Sequence, residues 1–282
     1  MVDVREWSRG DTARFLRVPD AADDKYSRGV VALRTGSAAY PGAAVLGTEA
    51  AWRAGAGFVR FVGEGRAADA VLARRPETVV GSDVGRSRID AWVIGSGTDA
   101  ATRTGDETAA LREILDGSTR VVVDAGALDL APGSRAPLLV TPHAGEFARL
   151  CSQLGLSPAD DAHREQAVVE LAARLGGTVL LKGARTLVAD ASGAVIEVSA
   201  GTGWLATAGT GDVLAGVLGA LLAANPHSSV IEIAAAGAWL HGYAGRSAAG
   251  ILGAGGQRGP GHPIVALDVA ESLPRAISDL LA

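Results

Sequence analysis

Lysine is nearly missing from this chain. Of its 26 basic residues only Lys25 and Lys182 are lysine, and the other 24 are arginine. A compact ammonium that persists against such a bias is a candidate for an anion contact. Cysteine is scarcer still: Cys151 stands alone, so no intramolecular disulfide can form, which fits a reducing compartment. Basic blocks are absent and the formal net charge is −5, which argues against a nucleic-acid partner. Long hydrophobic runs are absent too. The most apolar stretch, Val213–Ala224, falls short of the ~20 residues needed to span a bilayer. The opening "MVDVREWSRGDTARFLRVPD" has no apolar centre of the kind a secretory signal carries. The expectation is a soluble, cytoplasmic protein with no membrane partner, which meets any anionic ligand locally.

What is present is a core. Hydrophobic residues make up 48% of the 282 and charged residues 20%, a balance that folds rather than one that stays disordered. Apolar or β-branched runs at 29–36, 58–63, 91–97, 120–126, 138–146 and 178–185 end in glycine-rich or polar turns. Helical patterns lie between or after them, at 41–57, 105–116, 145–155, 161–176, 212–224, 229–249 and 264–281. Two runs within 186–200, separated by "ASG", predict an antiparallel hairpin at a sheet edge. Residues 1–24 read as an irregular lead-in. Alternating strands and helices predict one α/β domain over 1–282, with a mostly parallel central sheet covered by helices on both faces.

Parallel strands present their C-terminal ends along one edge, where ligands bind. The polar strand tips are Thr35 to Ser37, Gly95 to Thr98, Asp124, Thr141 to Glu146, and Lys182 to Thr186. A further motif, "AGTGD" at 208–212, opens an apolar helix. Gly209 and Gly211 allow close backbone approach, Thr210 adds a hydroxyl, and free amides at a helix start favour an anion such as phosphate. Gly216 and Gly219 weaken that helix and imply close packing on a neighbour. Asp212 admits two roles. It can cap the helix or complement its dipole, or, beside a phosphate, it can accept the proton of an attacking hydroxyl. In "TPHAGE" His143 can hydrogen bond a ligand, and Glu146 can cap a helix or hold Mg²⁺ through water. Lys182 in "LKGART" can meet phosphate. The turn "IGSGTD" lacks the full dinucleotide fingerprint, no Walker A pattern occurs, and no His/Cys/Asp cluster has zinc spacing.

Together, eight motifs in order resemble the ribokinase-like superfamily and, within it, the ADP/ATP-dependent NAD(P)H-hydrate dehydratases. They are "DKYSRG", "YPGAAVLGTEAAWRAGAGFVRF", "WVIGSGTD", "VVVDAGALDL", "LVTPHAGEFARL", "VLLKGARTLVAD", "ATAGTGDVLAG" and "AWLHGYAG", between about residues 25 and 249. The resemblance implies repair of hydrated NADH or NADPH: the added hydroxyl is phosphorylated, with ADP the usual donor in bacterial members and ATP in others, and phosphate then leaves. It implies that Asp212 is the base and that Ala43, Gly97 and His143 hold the hydrate with it. Nucleotide would lie along Lys182, Gly183, Ala184, Arg185 and Thr186, with Gly209, Thr210 and Gly211 at its phosphates. Mg²⁺ is implied, with Glu146 as a candidate for its water shell and no tightly bound metal. The resemblance further implies a homotetramer acting on the S epimer; residues 1–24 are too short for the epimerase that often precedes such a domain, so a separate one is expected in the pathway. Two departures stand out: Ala208 replaces a usual glycine, and Gly126 in "DAGAL" replaces a usual aspartate. The alternative within the superfamily is a kinase of a vitamin-precursor alcohol such as hydroxyethylthiazole, against which "YPGA" and "TPHAGE" weigh.

Overall fold

Period-two burial organises the molecule. Val122 points to one side of the sheet, and Val121 and Val123 to the other; Leu180, between Val179 and Leu181, does the same. Strands buried on both faces belong to a sheet with helices above and below. The structure, a computed structural model, describes residues 3–157, 163–252 and 259–282. The strands among these are β1 (Val4–Glu6), β2 (Val30–Arg34), β3 (Phe58–Val62), β4 (Val79–Gly81), β5 (Ala91–Ile94), β6 (Arg120–Val123), β7 (Leu138–Val140), β8 (Thr178–Leu181), β9 (Thr186–Ala189) and β10 (Val195–Val198). The helices are α1 (Arg9–Ala13), α2 (Pro41–Arg53), α3 (Gly65–Arg74), α4 (Gly105–Leu115), α5 (Ala144–Gln153), α6 (Arg164–Leu175), α7 (Thr210–Ala224), α8 (Val230–Ala248) and α9 (Ala266–Leu281).

The strands form one sheet in the order β1-β10-β9-β8-β7-β6-β5-β2-β3-β4. Only β9 runs antiparallel to its neighbours β8 and β10. Helices α2, α7, α8 and α9 cover one face, and α4, α5 and α6 cover the other. The chain runs outward from β2 through β3 to β4, then crosses to the opposite side of β2 and continues from β5 to β8. A topological switch point therefore lies between β2 and β5.

Two expectations are corrected. The lead-in is not wholly irregular: β1 pairs in parallel with β10, and Ser8 and Asp11 form a capping box at α1. The buried Trp7 indole donates to Thr12 Oγ1 at 3.0 Å. The 186–200 hairpin forms as β9 and β10, with β1 lying beyond it. Positions 161 and 162, expected to begin a helix, lie outside the described residues.

Glu49 in α2 is fully buried. Its carboxylate accepts from Arg53 at 3.0 Å, from Arg74 at 3.3 Å and from Arg75. These contacts tie α2 to the C-terminal end of α3. Burial opposes the charge, but Arg75 and Arg53 outweigh it and hold the Glu49 carboxyl below the ordinary glutamate range. Glu49→Ala is expected to cost about 2–4 kcal/mol in urea unfolding, since it leaves three guanidiniums around an uncompensated site. Because the native carboxyl pKa is depressed, this loss is full above the unfolded-state pKa and fades as pH falls. A loss below about 1 kcal/mol at neutral pH would show the cluster to be ordinary surface pairing.

Candidate active site

The strand tips meet at the switch point. The amide of Gly36, after β2, donates to Ser96 O, after β5, at 2.7 Å. Gly97 has φ of 68° and packs so tightly that a Cβ there would lie 2.2 Å from Ala43 Cβ and 3.1 Å from Gly36 Cα. Only glycine allows this closure. Gly97 and Ala43, two of the expected hydrate contacts, are thus brought together. Further along the edge, Lys182 N donates to Pro142 O at 2.9 Å, which joins the β8 and β7 tips.

Asp124 is the buried centre of this edge. Its Oδ2 accepts from Ser96 Oγ at 2.9 Å, and its Oδ1 accepts from Thr141 Oγ1 at 2.9 Å and Lys182 Nζ at 2.8 Å. Lys182 Nζ also lies 3.8 Å from Glu146 Oε2. Burial works against the lysine charge, but Asp124, Glu146 and Asp212 together hold its pKa above the ordinary value. Glu146 does cap its helix, accepting from His143 N at 2.8 Å. His143 Nδ1 accepts from the amides of Gly145 at 3.0 Å and Glu146 at 3.4 Å. With Nδ1 accepting, the ring carries its N–H on Nε2, which lies 3.5 Å from Glu146 Oε1.

Asp212 does not cap. Gly209, with φ of 91°, is the residue before α7, and no side chain caps that helix start. A Cβ on Gly209 would lie 2.6 Å from Leu46 Cδ1, so the turn requires glycine. Asp212 sits in the first turn, half-buried, and none of the hydrogen bonds or ion pairs of the described residues engages its carboxylate. Burial first, and then the negative charge of Asp124, push its pKa up to about 6 despite the opposing pull of Lys182. A carboxylate that is accessible, unpartnered and titrates near neutrality is suited to proton transfer.

Beside it opens a cleft of about 450 Å³. Lys182, Gly183, Ala184, Thr186, Thr210 and Gly211, six of the positions expected to contact nucleotide, line it. Its far wall comes from Ala200–Ala206 after β10 and from Ala238, His241 and Gly242 of α8, none of which sequence reasoning had assigned to a site. The available signal was the small residues of α8: a Cβ on Gly242 would lie 2.8 Å from the Ala200 carbonyl carbon. Burial pushes the His241 pKa down to about 4 against its contact with the Thr210 backbone, so the ring is neutral, and Nε2 has no hydrogen-bond partner among the described residues. No group of three or more His, Cys, Asp or Glu among the described residues can hold a metal directly. Three carboxylates around one lysine do suit a hydrated hard cation that arrives with phosphate.

The profile of the family described as NAD(P)H-hydrate dehydratase matches residues 31–256. The chain belongs to the NAD(P)H-hydrate dehydratase family. It is 46% identical over 233 residues to the bifunctional NAD(P)H-hydrate repair enzyme Nnr of Mycobacterium tuberculosis, covering 79% of this chain and 47% of that one. The chain thus spans about half the length of such bifunctional relatives. Against the ADP-dependent (S)-NAD(P)H-hydrate dehydratase of Xanthomonas campestris it is 34% identical over 293 residues, covering 94% and 96% of the two chains. The crystal structure of the ADP/ATP-dependent NAD(P)H-hydrate dehydratase of Bacillus subtilis, co-crystallised with ATP/Mg²⁺, superposes with a TM-score of 0.83 at 26% identity, covering 99% of each.

Arg185, expected among the nucleotide contacts, does not line the cleft with its neighbours. Its guanidinium pairs with Glu197 at 2.5 Å and Glu165 at 3.3 Å, so its side chain is held outside the cleft. Ala208 is exposed, so its extra methyl meets solvent. Gly126 fills a tight spot: a Cβ there would lie 2.3 Å from Thr98 O, so the glycine lets the loops after β5 and β6 close.

The raised Asp212 pKa means that ionising this side chain opposes folding. The penalty is absent below about pH 4 and complete above about pH 6. Asp212→Asn is expected to be more stable than the parent by on the order of 1–2 kcal/mol near pH 8 and equal to it in acid. Thermal unfolding at the two pH values checks this. A capping role predicts the opposite sign, a loss of about 1 kcal/mol.

Proposed function

We propose that this chain is an ADP-dependent (S)-NAD(P)H-hydrate dehydratase, a lyase that restores NADH or NADPH from its hydrate. The observation that carries the proposal is the unpartnered Asp212 carboxylate, raised to about 6, beside the Lys182 cleft. Relatives named as ADP-dependent dehydratases support the donor assignment. A hydroxyethylthiazole kinase shares the fold at a TM-score of 0.60 and 15% identity, which supports the superfamily and not that activity.

In the proposed reaction the adenine nucleotide lies in the cleft. Lys182 and the amides of Gly209, Thr210 and Gly211 face its phosphates, and Gly183, Ala184 and Thr186 face the remainder. The hydrate ring lies against Ala43, Gly97 and His143, whose Nε2–H donates to it. Asp212 removes the proton of the added hydroxyl as that oxygen attacks the terminal phosphorus of ADP. One O–P bond forms, the bridging P–O bond breaks, and AMP departs. The ring nitrogen lone pair then expels phosphate from the adjacent carbon, the next carbon loses a proton, and the double bond returns. When Mg²⁺ accompanies the nucleotide, Asp124 and Glu146 would hold it through water, and it would neutralise phosphate charge. Lys182 keeps its proton because of the surrounding carboxylates, so it acts as fixed positive charge where negative charge develops.

We place the protein in the cytoplasm as a homotetramer, working with an epimerase activity that converts the R epimer. No helix among the described residues is long and apolar enough to cross a membrane.

The test supplies NADPH hydrate, ADP and Mg²⁺ and follows the reduced-nicotinamide absorbance. It should return with the parent protein. With Asp212→Asn, kcat should fall on the order of 10²–10⁴-fold while nucleotide still binds. No return with the parent, together with ATP-dependent turnover of a vitamin-precursor alcohol, would overturn the proposal.

A further inference from the structure

His241 of α8 is a buried polar side chain that the proposed reaction leaves unused. It is only 8% exposed, yet it is one of the residues that line the 450 Å³ cleft. A neutral imidazole has one N–H and one lone pair. The Thr210 backbone contact favours the charged ring, so it is an N–H that meets the Thr210 carbonyl. Nε2 has no hydrogen-bond partner among the described residues, so the lone pair is the one left over. A buried acceptor without a donor is costly, and in the wall of a cleft a ligand can supply the donor.

Packing holds the ring in place. Gly242, the next residue, lies against the Ala200 carbonyl, and a Cβ on Gly245 would lie 2.6 Å from Leu205 Cδ2. These contacts fix α8 on the far wall. The cleft itself has two ends. Lys182, Thr210 and Gly211 make a polar end, and Val198, Ala200, Leu205, Leu214 and Ala238 make an apolar one. His241 touches Thr210, is near enough to Lys182 for that charge to act on the ring, and follows Ala238 by about one helical turn. It therefore stands where the two ends meet.

A nucleotide with its phosphates at the polar end and its base against the apolar wall has its ribose at this junction. Phosphate oxygens accept hydrogen bonds and cannot answer a lone pair. The adenine amino group is a donor, but it belongs to the apolar end. The ribose hydroxyls are donors in the right place. Resting on the proposed nucleotide site, we propose that His241 Nε2 accepts a hydrogen bond from a ribose hydroxyl of the phosphoryl donor and so sets a preference for ribonucleotide over deoxyribonucleotide.

Calorimetric binding of ADP, 2′-deoxy-ADP, 3′-deoxy-ADP and inosine diphosphate in the presence of Mg²⁺ tests this without the hydrate. The parent should bind one of the two deoxy analogues about tenfold more weakly than ADP. In His241→Ala that gap should close to within about twofold, because ADP loses affinity and the analogue does not. The ratio of ADP to inosine diphosphate, which lacks the amino group, should stay that of the parent. His241→Gln, which keeps an acceptor, should restore part of the gap. A parent that binds both deoxy analogues as tightly as ADP would overturn the ribose contact, as would a gap that survives His241→Ala or a change in the inosine diphosphate ratio in its stead. Each of these leaves the dehydratase activity standing. The expected binding pattern in a protein that turns over no hydrate would overturn the activity alone, and a parent that binds none of these nucleotides would overturn both.

Discussion

The Lys182–Asp124 ion pair, 2.8 Å long, joins the ends of two strands that flank β7. The site depends on it. Asp124 is almost fully buried, and an isolated charge there would be costly. Lys182, Ser96 and Thr141 together satisfy its two oxygens, which pins the tips of β5, β7 and β8 around that of β6. The same pair leaves Lys182 facing the 450 Å³ cleft and places negative charge near Asp212. One interaction thereby fixes the strand edge and keeps a cation at the cleft, while its Asp124 charge adds to the burial that raises the Asp212 pKa against the pull of Lys182.

Asp212 takes its character from what surrounds it. A helix start normally favours a carboxylate. Here burial and the Asp124 charge outweigh that preference. Gly209, and not a capping side chain, turns the chain into α7, so the carboxylate is not used up in holding the helix. Close packing of α7 supports this placement. A Cβ on Gly216 would lie 2.2 Å from Gly47 O, and one on Gly219 would lie 2.4 Å from Val93 Cγ2. The glycines that weaken α7 as a helix let it sit against α2 and β5, with its first turn over the switch point. Stability is given up at Asp212 and recovered in that packing.

Much of this was legible in the chain. Runs such as "RVVVDAG" and "TVLLKGAR" carried both the strand and the polar residue at its tip, because a doubly buried parallel strand is apolar up to the point where it leaves the sheet. The scarcity of lysine pointed to Lys182 before any geometry did. Short elements escaped. β1 and β4 have three residues each, too few for a period to show, and β1 exists because β10 offers it a partner. α3 was hidden because only Ala67, Ala68 and Val71 face the core. His241 and the Ala200–Ala206 wall were invisible for another reason: they reach the cleft from distant parts of the chain, and no local pattern records that meeting. The turn of the Arg185 guanidinium towards Glu165 and Glu197 was also unreadable, because adjacency to Lys182 says nothing about where a long side chain goes.

The central claim is that Asp212 must lose its proton near neutrality to act. The most direct test is the pH dependence of kcat/KM for hydrate dehydration, which reports the free enzyme's essential groups. The account predicts activity that rises with pH through a single ionisation near pH 6, with the basic form active. An acid-side inflection near pH 4, the ordinary aspartate range, or a profile flat through pH 6, would contradict it.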